Sequence, residues 1–229
     1  PYRILYPEGY DKTKRYPLLL LLHGGGERGR DNEKQLTHGA KWFLTDANRK
    51  NFQAIVVMPQ CSEDTYWASA QIDRTTQPFK IAVSYAAVPN WPLVAANDLV
   101  RQLITTEAVD KSRVYISGLS MGGMGTFESV YRYPELYAAA LPICGVGDAA
   151  SYDKRVAKIP FWVFHGDADV VVDVKNSRMM VEKLKALKVA VKYTEYPGVN
   201  HNSWDNVFAD PEYLNWIEYQ RKGLPLNDH

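Results

Sequence analysis

The stretch Arg113-Val114-Tyr115-Ile116-Ser117-Gly118-Leu119-Ser120-Met121-Gly122-Gly123 decides the fold. Five residues of strand character run into Gly118-Leu119-Ser120-Met121-Gly122, which matches G-x-S-x-G, and a helical pattern follows to Arg132 before Pro134. A strand that turns sharply into a helix strains the residue at the corner. Side chains two positions away on either side would collide, so glycine occupies both. Ser120 is thereby lifted above the sheet edge at the N-terminus of the new helix, where backbone N–H groups favour an anion. Ser120 is the candidate nucleophile, with the Met121 amide as one oxyanion donor.

Outward from this corner, strand-like and helix-like segments alternate. Strands are predicted at 2–6, 18–22, 54–58, 113–117, 138–144, 160–164 and 191–196. Helices are predicted at 32–43, 93–105, 121–132, 174–188 and 211–221. Asp173 reads as the N-cap of the fourth helix. Leu18-Leu19-Leu20-Leu21-Leu22 is apolar at every position, as in a strand buried on both faces of a parallel sheet. The alternation implies an α/β fold, with a mostly parallel, doubly wound sheet and helices on both faces. The stretch 60–91 reads as a long irregular loop of the kind that is often functional.

A serine hydroxyl needs a base. His201 follows the last strand, and the chain order nucleophile, acid, base places the acid between it and Ser120. Asp167, Asp169 and Asp173 all follow the strand at 160–164 and are the candidate acids, Asp173 reading better as a cap. A second oxyanion donor is expected from His23-Gly24-Gly25-Gly26, with the Gly25 amide favoured over Gly24 or Gly26. The glycine run lacks the Lys-Ser or Lys-Thr of a phosphate loop and the spacing of a dinucleotide site.

Composition narrows the classes. The 229 residues carry 27 Lys+Arg and 26 Asp+Glu, a net charge of +1, with 46% hydrophobic residues. That excludes a disordered tail or disulfide scaffold and leaves no electrostatic footprint for nucleic acid or an anionic membrane. No apolar run reaches the ~20 residues of a membrane span. Cys61 and Cys144 read as two buried free thiols, one bridge being the alternative, and no metal site or cofactor is indicated.

On these motifs the sequence resembles the α/β-hydrolase superfamily over almost its whole length. The carrying residues are His23-Gly24-Gly25-Gly26, Gly118-Leu119-Ser120-Met121-Gly122-Gly123, His165-Gly166-Asp167-Ala168-Asp169-Val170-Val171 and Asn200-His201. More narrowly, His23-Gly24-Gly25-Gly26-Glu27-Arg28-Gly29 and Pro59-Gln60-Cys61 are similar to the phospholipase/carboxylesterase and feruloyl-esterase-like group. The resemblance implies that Asp169, four residues after His165, is the triad acid. It implies a cofactor-free serine esterase acting on small-molecule or polysaccharide-linked esters, feruloyl or acetyl, often in an extracytoplasmic bacterial setting. A prolyl-oligopeptidase-type peptidase is the alternative, and a non-catalytic carbohydrate-binding domain on the same fold is a third.

One catalytic domain is expected over 1–229, with upstream chain in the parent protein, because the superfamily's first strand precedes the one at 2–6. The short 145–158 connection argues against a large lid. Trp67, Trp204 and Gln60 are the candidate substrate contacts, with Tyr66 and Trp91 also expected near Ser120. Glu27 and Arg28 are expected either to pair and brace the oxyanion loop or to touch substrate. His23 and His165 are expected to order the oxyanion and acid loops. Trp42, Trp162 and Trp216 are core candidates, and His38 and His229 have no assigned role.

Overall fold

A computed structural model describes residues 1–223; His229 lies outside them. Its main sheet contains β1 (Tyr2–Leu5), β2 (Tyr16–Leu22), β3 (Ile55–Pro59), β6 (Val109–Leu119), β7 (Ala139–Ile143), β8 (Phe161–Gly166) and β9 (Val191–Tyr196). The order is β1-β3-β2-β6-β7-β8-β9. All neighbours pair in parallel except β1, which runs antiparallel to β3 with Tyr2 opposite Pro59. After β1 at one edge, the chain winds outward from β2 in both directions, which puts the ends of β2 and β6 at the centre.

The alternation of side chains in β2 builds two cores at once. Leu18, Leu20 and Leu22 face one core with Val114, Ile116 and Val163. That core is closed by α3 (Trp91–Thr106), α4 (Met121–Arg132) and α5 (Lys175–Ala186). Leu19 and Leu21 face the other, with Tyr115, Leu141 and Phe164, under α1 (Ala40–Phe43), α6 (Trp204–Ala209) and α7 (Glu212–Tyr219). The five leucines are therefore all buried. Trp162 is buried in this second core, and Trp42 and Trp216 pack against it.

Three expectations about elements change. The helix expected at 32–43 is a 3-10 turn, Lys34–Leu36, then α1, with α2 (Asp46–Asn51) beyond. Gly39 separates them at φ +85, and a Cβ there would meet Phe208 at 2.9 Å, so the chain turns where a continuous helix would collide. The closing helix is preceded by a separate α6 and covers Glu212–Tyr219. The stretch 60–91 is not wholly irregular: β4 (Ala70–Asp73) and β5 (Lys80–Val83) form an antiparallel hairpin of their own. Between β7 and β8 the chain holds a 3-10 turn, Lys154–Val156. Among the described residues no helix is long and apolar enough to cross a membrane. Cys61 and Cys144 are both buried and free, and burial pushes the Cys61 thiol up to about 12.

Candidate active site

Ser120 sits between β6 and α4 at φ +53, ψ −114, a region that L-residues seldom occupy. The surrounding contacts hold it there. Its N–H donates to the Ile143 carbonyl at 2.8 Å, fastening the corner to β7. A Cβ on Gly122 would overlap the Leu22 carbonyl, and one on Gly118 would overlap the Gly122 carbonyl. Both glycines are required by close backbone approach. The strain at Ser120 is thus maintained by packing on both flanks.

The His201 Nε2 lies 2.9 Å from the Ser120 Oγ, and its Nδ1 lies 2.7 Å from the Asp169 Oδ2. An ionised carboxylate only accepts, so Nδ1 carries the proton and Nε2 is left to accept from the hydroxyl. Asp169 is buried, which alone would raise its pKa. Hydrogen bonds from His165 and His201, the nearby His201 ring and the Val172 amide outweigh this and hold the carboxyl well below its usual range. Its Oδ1 also accepts the Val171 and Val172 amides at 2.8 and 2.9 Å.

His165 is fully buried beside this carboxylate. Its Nε2 lies 3.1 Å from Asp169 Oδ2 and 2.9 Å from the Val172 carbonyl, so Nε2 is the protonated nitrogen, while Nδ1 faces the Ser177 hydroxyl at 2.7 Å. Asp167 instead accepts the Gly198 amide at 2.6 Å, and Asp173 accepts the Lys175 amide at 2.9 Å at the start of α5. Of the three aspartates, only Asp169 hydrogen-bonds His201.

The Gly24–Gly26 segment follows β2. Gly25 opens a 3-10 turn, Gly25–Glu27, and Met121 opens α4; amides at such starts have no intrahelical acceptor. His23 anchors the loop from below. Its Nδ1 donates to the Gly24 carbonyl at 2.6 Å and its Nε2 accepts the Cys61 amide at 2.9 Å. Burial, with a smaller push from the Arg28 charge and against the Gly24 hydrogen bond, lowers the His23 pKa to about 4. Arg28 donates to the Gly25, Glu63 and Thr65 carbonyls at 3.0–3.1 Å. Glu27 does not pair with it but faces His38 at 3.6 Å, so the bracing comes from Arg28 and backbone carbonyls.

Ser120, Met121, His201 and the Gly24–Arg28 segment line a cleft of about 330 Å³. One wall holds Ile72, Arg74, Phe79 and Ile81 of the hairpin with Met124, Val171 and Val172; Tyr66, His38 and Trp204 complete it. Trp204 stands edge-on to the His201 ring, centroids 5.4 Å apart, and lies 4.9 Å from that of His38.

Two of the expected contacts are elsewhere. Trp67 is 1% exposed and donates its Nε1–H to the His23 carbonyl, so it supports the Gly24–Gly26 loop from the core. Gln60 is buried with its amide fully engaged: Oε1 accepts the Asn32 amide, and Nε2 donates to the Glu27 carbonyl and Asp31. Trp91 is 60% exposed at the start of α3, away from the cleft. The hairpin wall and His38 also line the cleft, beyond the residues the sequence points to. The alternation in Ala70-Gln71-Ile72-Asp73 and Lys80-Ile81-Ala82-Val83 is the signal that marks the hairpin. The Cys144 Sγ, an Asp169 oxygen and a His201 nitrogen lie within 4.8 Å of one another. Two of these residues already hydrogen-bond each other, so a cation there would have to break that bond.

Residues 10–215 match the phospholipase/carboxylesterase family. The carboxylesterase SOBER1 of Arabidopsis thaliana is 25% identical over 213 residues, covering 90% of this chain and 91% of its own length. An uncharacterized secreted protein of Arthroderma benhamiae is 25% identical over 226 residues, and this chain spans 22% of it. A thermostable esterase of known crystal structure superposes with a TM-score of 0.84 at 35% identity, covering 97% of this chain and 59% of its own. The parallel sheet, the strained serine corner and the family match agree: the chain belongs to the phospholipase/carboxylesterase family, an ester-hydrolase family of the α/β-hydrolase fold.

Proposed function

We propose that Ser120, His201 and Asp169 form a catalytic triad that hydrolyses carboxylic esters through an acyl-enzyme. The observation that carries this reading is the unbroken chain of hydrogen bonds from the Ser120 Oγ through His201 to Asp169, at 2.9 and 2.7 Å. In the first step the Ser120 Oγ attacks the ester carbonyl and its proton passes to the His201 Nε2. The carbonyl oxygen becomes an oxyanion, held by the Met121 and Gly25 amides. Asp169 stabilises the imidazolium. Collapse breaks the bond to the alcohol, which takes the proton from Nε2. Water then attacks the acyl-enzyme, His201 again takes a proton, and the acid leaves as Ser120 is reprotonated.

The cleft's aromatic rim and the absence of an inserted lid domain among the described residues favour bulky ester substrates. Feruloyl or acetyl groups on plant polysaccharide are the proposed class, and the site is assigned to an extracytoplasmic enzyme. The secreted relative supports the location, and the Phe79 and Trp204 rings lining the cleft offer apolar surface to a phenolic ring or sugar. Ser120→Ala is expected to lower kcat by about 10⁴-fold or more, because triad members act as a unit. It should also abolish labelling by a fluorophosphonate. Retained hydrolysis in Ser120→Ala refutes the triad. Turnover of feruloyl esters, acetylated xylan and 4-nitrophenyl acyl esters by the unmodified protein ranks the substrates, and equal weak rates on all three count against a polysaccharide esterase.

A further inference from the structure

The hairpin wall of the cleft carries a charge that the triad does not use. Arg74 follows β4, and its guanidinium lies 5.8 Å from the Tyr66 ring centroid and 5.7 Å from that of Phe79. Its Nη2 donates to the Tyr66 hydroxyl at 3.1 Å, a neutral partner. Arg28 covers the same Tyr66 ring at 4.6 Å and is committed to backbone carbonyls. Among the described residues neither guanidinium forms an ion pair with a carboxylate.

The acids nearby are otherwise engaged. Glu27, among the described residues the one acidic residue lining the cleft, faces His38. Asp73, next to Arg74 in the chain, accepts the Thr75 amide and hydroxyl at 2.9 and 2.6 Å. Both arginines also draw the Tyr66 phenol below its usual range, the Arg74 hydrogen bond being the main cause. The hairpin holds Arg74 over the site, because the Phe79 amide donates to the Val171 carbonyl at 2.9 Å, in the loop that follows Asp169.

We propose that Arg74, braced by Tyr66 and Phe79, forms a specificity subsite for a carboxylate carried by the ester substrate. A guanidinium presents five N–H donors in a planar fork that matches a carboxylate, and one donor is occupied here. The aromatic rings hold the cation in place, while the side chain stays exposed and open to an incoming carboxylate. The inference rests on the ester-hydrolase reading and adds the substrate's charge to it.

The test uses two ester pairs with the intact protein. 4-Nitrophenyl hemiglutarate carries its carboxylate on the acyl side, and 4-acetoxybenzoate carries it on the alcohol side; each is compared with its neutral methyl ester. In one pair the carboxylate form is expected to show a kcat/KM about tenfold above its methyl ester, mostly through KM, as a charge-assisted contact provides. The pair that responds identifies the side. The advantage should shrink at high salt. Arg74→Gln is expected to bring that ratio to about one, and Arg74→Lys to keep part of it, having the charge without the fork. Ratios of one or below in both pairs for the unmodified protein overturn the subsite, as does an unchanged ratio in Arg74→Gln. If none of the four esters turns over, the hydrolase reading itself fails. Calorimetric titration of Ser120→Ala then reads the subsite directly: tighter binding of a carboxylate form supports it, and equal affinities overturn it.

Discussion

Gly166 shows how one residue without a side chain sets the distance between an acid and a base. It ends β8, three residues before Asp169, and a Cβ there would overlap the Val199 carbonyl, two residues before His201. The two loops are stitched around that contact. The Ala168 amide donates to the Val199 carbonyl at 3.1 Å, and the Asn200 Oδ1 accepts the Val170 and His201 amides at 3.1 and 2.7 Å. Gly166→Ala must push the His201 loop away from the Asp169 loop. Displacement of a catalytic group by ~1 Å costs about 100-fold in rate. The variant is therefore expected to lose about 100-fold in kcat on a 4-nitrophenyl ester, and fluorophosphonate labelling of Ser120 should slow in step. Gly198→Ala is a useful contrast: open space surrounds its Cβ position, but φ is +70, so its effect should appear in Tm rather than kcat.

At the scale of elements, the hairpin wall depends on one buried acid in α4. Glu128 is inaccessible to solvent, and its carboxylate accepts the Ser69 amide at 2.7 Å and hydroxyl at 3.0 Å, just ahead of β4. It also accepts the Arg132 Nε at 2.7 Å, and Arg132 donates onward to the Tyr85 and Ala87 carbonyls beyond β5. One ion pair within α4 thus holds both ends of the insertion. Glu128→Ala leaves a half-buried guanidinium and two polar groups without their partner, and is expected to destabilise the protein by about 3–5 kcal/mol. Denaturant unfolding measures that loss, and limited proteolysis should cut within 69–90 before the sheet unfolds. None of this was legible in the sequence, because Glu128 and Ser69 meet only through the tertiary fold. The inner strands were legible as local runs of apolar residues, Leu18 to Leu22 above all, β9 by its alternation, and the serine corner because its glycines have a local steric cause. Trp67 and Gln60 lie elsewhere than their sequence positions imply, for the opposite reason. Their burial comes from tertiary contacts that no local pattern marks: His23 and the Glu27–Asn32 loop fold over them and use their hydrogen bonds.

For the whole molecule, the parallel sheet brings distant segments to one edge. The C-terminal ends of β2, β6, β8 and β9 deliver the Gly25 loop, Ser120, the Asp169 loop and the His201 loop to the same cleft. Assembly of the site and stability of the fold therefore share parts, and His23 is one of them. Its ring joins the end of β2 to Cys61 after β3 as a neutral imidazole, with Nε2 accepting. In the folded chain its pKa is about 4, against an ordinary 6.5 when exposed. Between those values the unfolded chain binds a proton that the folded chain does not, so stability rises with pH across that window. The contribution is complete above about pH 6.5 and is lost as pH falls towards 4, a change of roughly 3 kcal/mol. Asp169, whose pKa is also lowered, extends the loss to more acid pH. Urea midpoints measured from pH 7 to pH 4 should accordingly fall. His23→Gln keeps an acceptor for the Cys61 amide but cannot titrate. It is expected to be less stable at pH 7, yet to show a much flatter profile between pH 6.5 and 4. A profile as steep as that of the unmodified protein would assign the acid sensitivity to other groups.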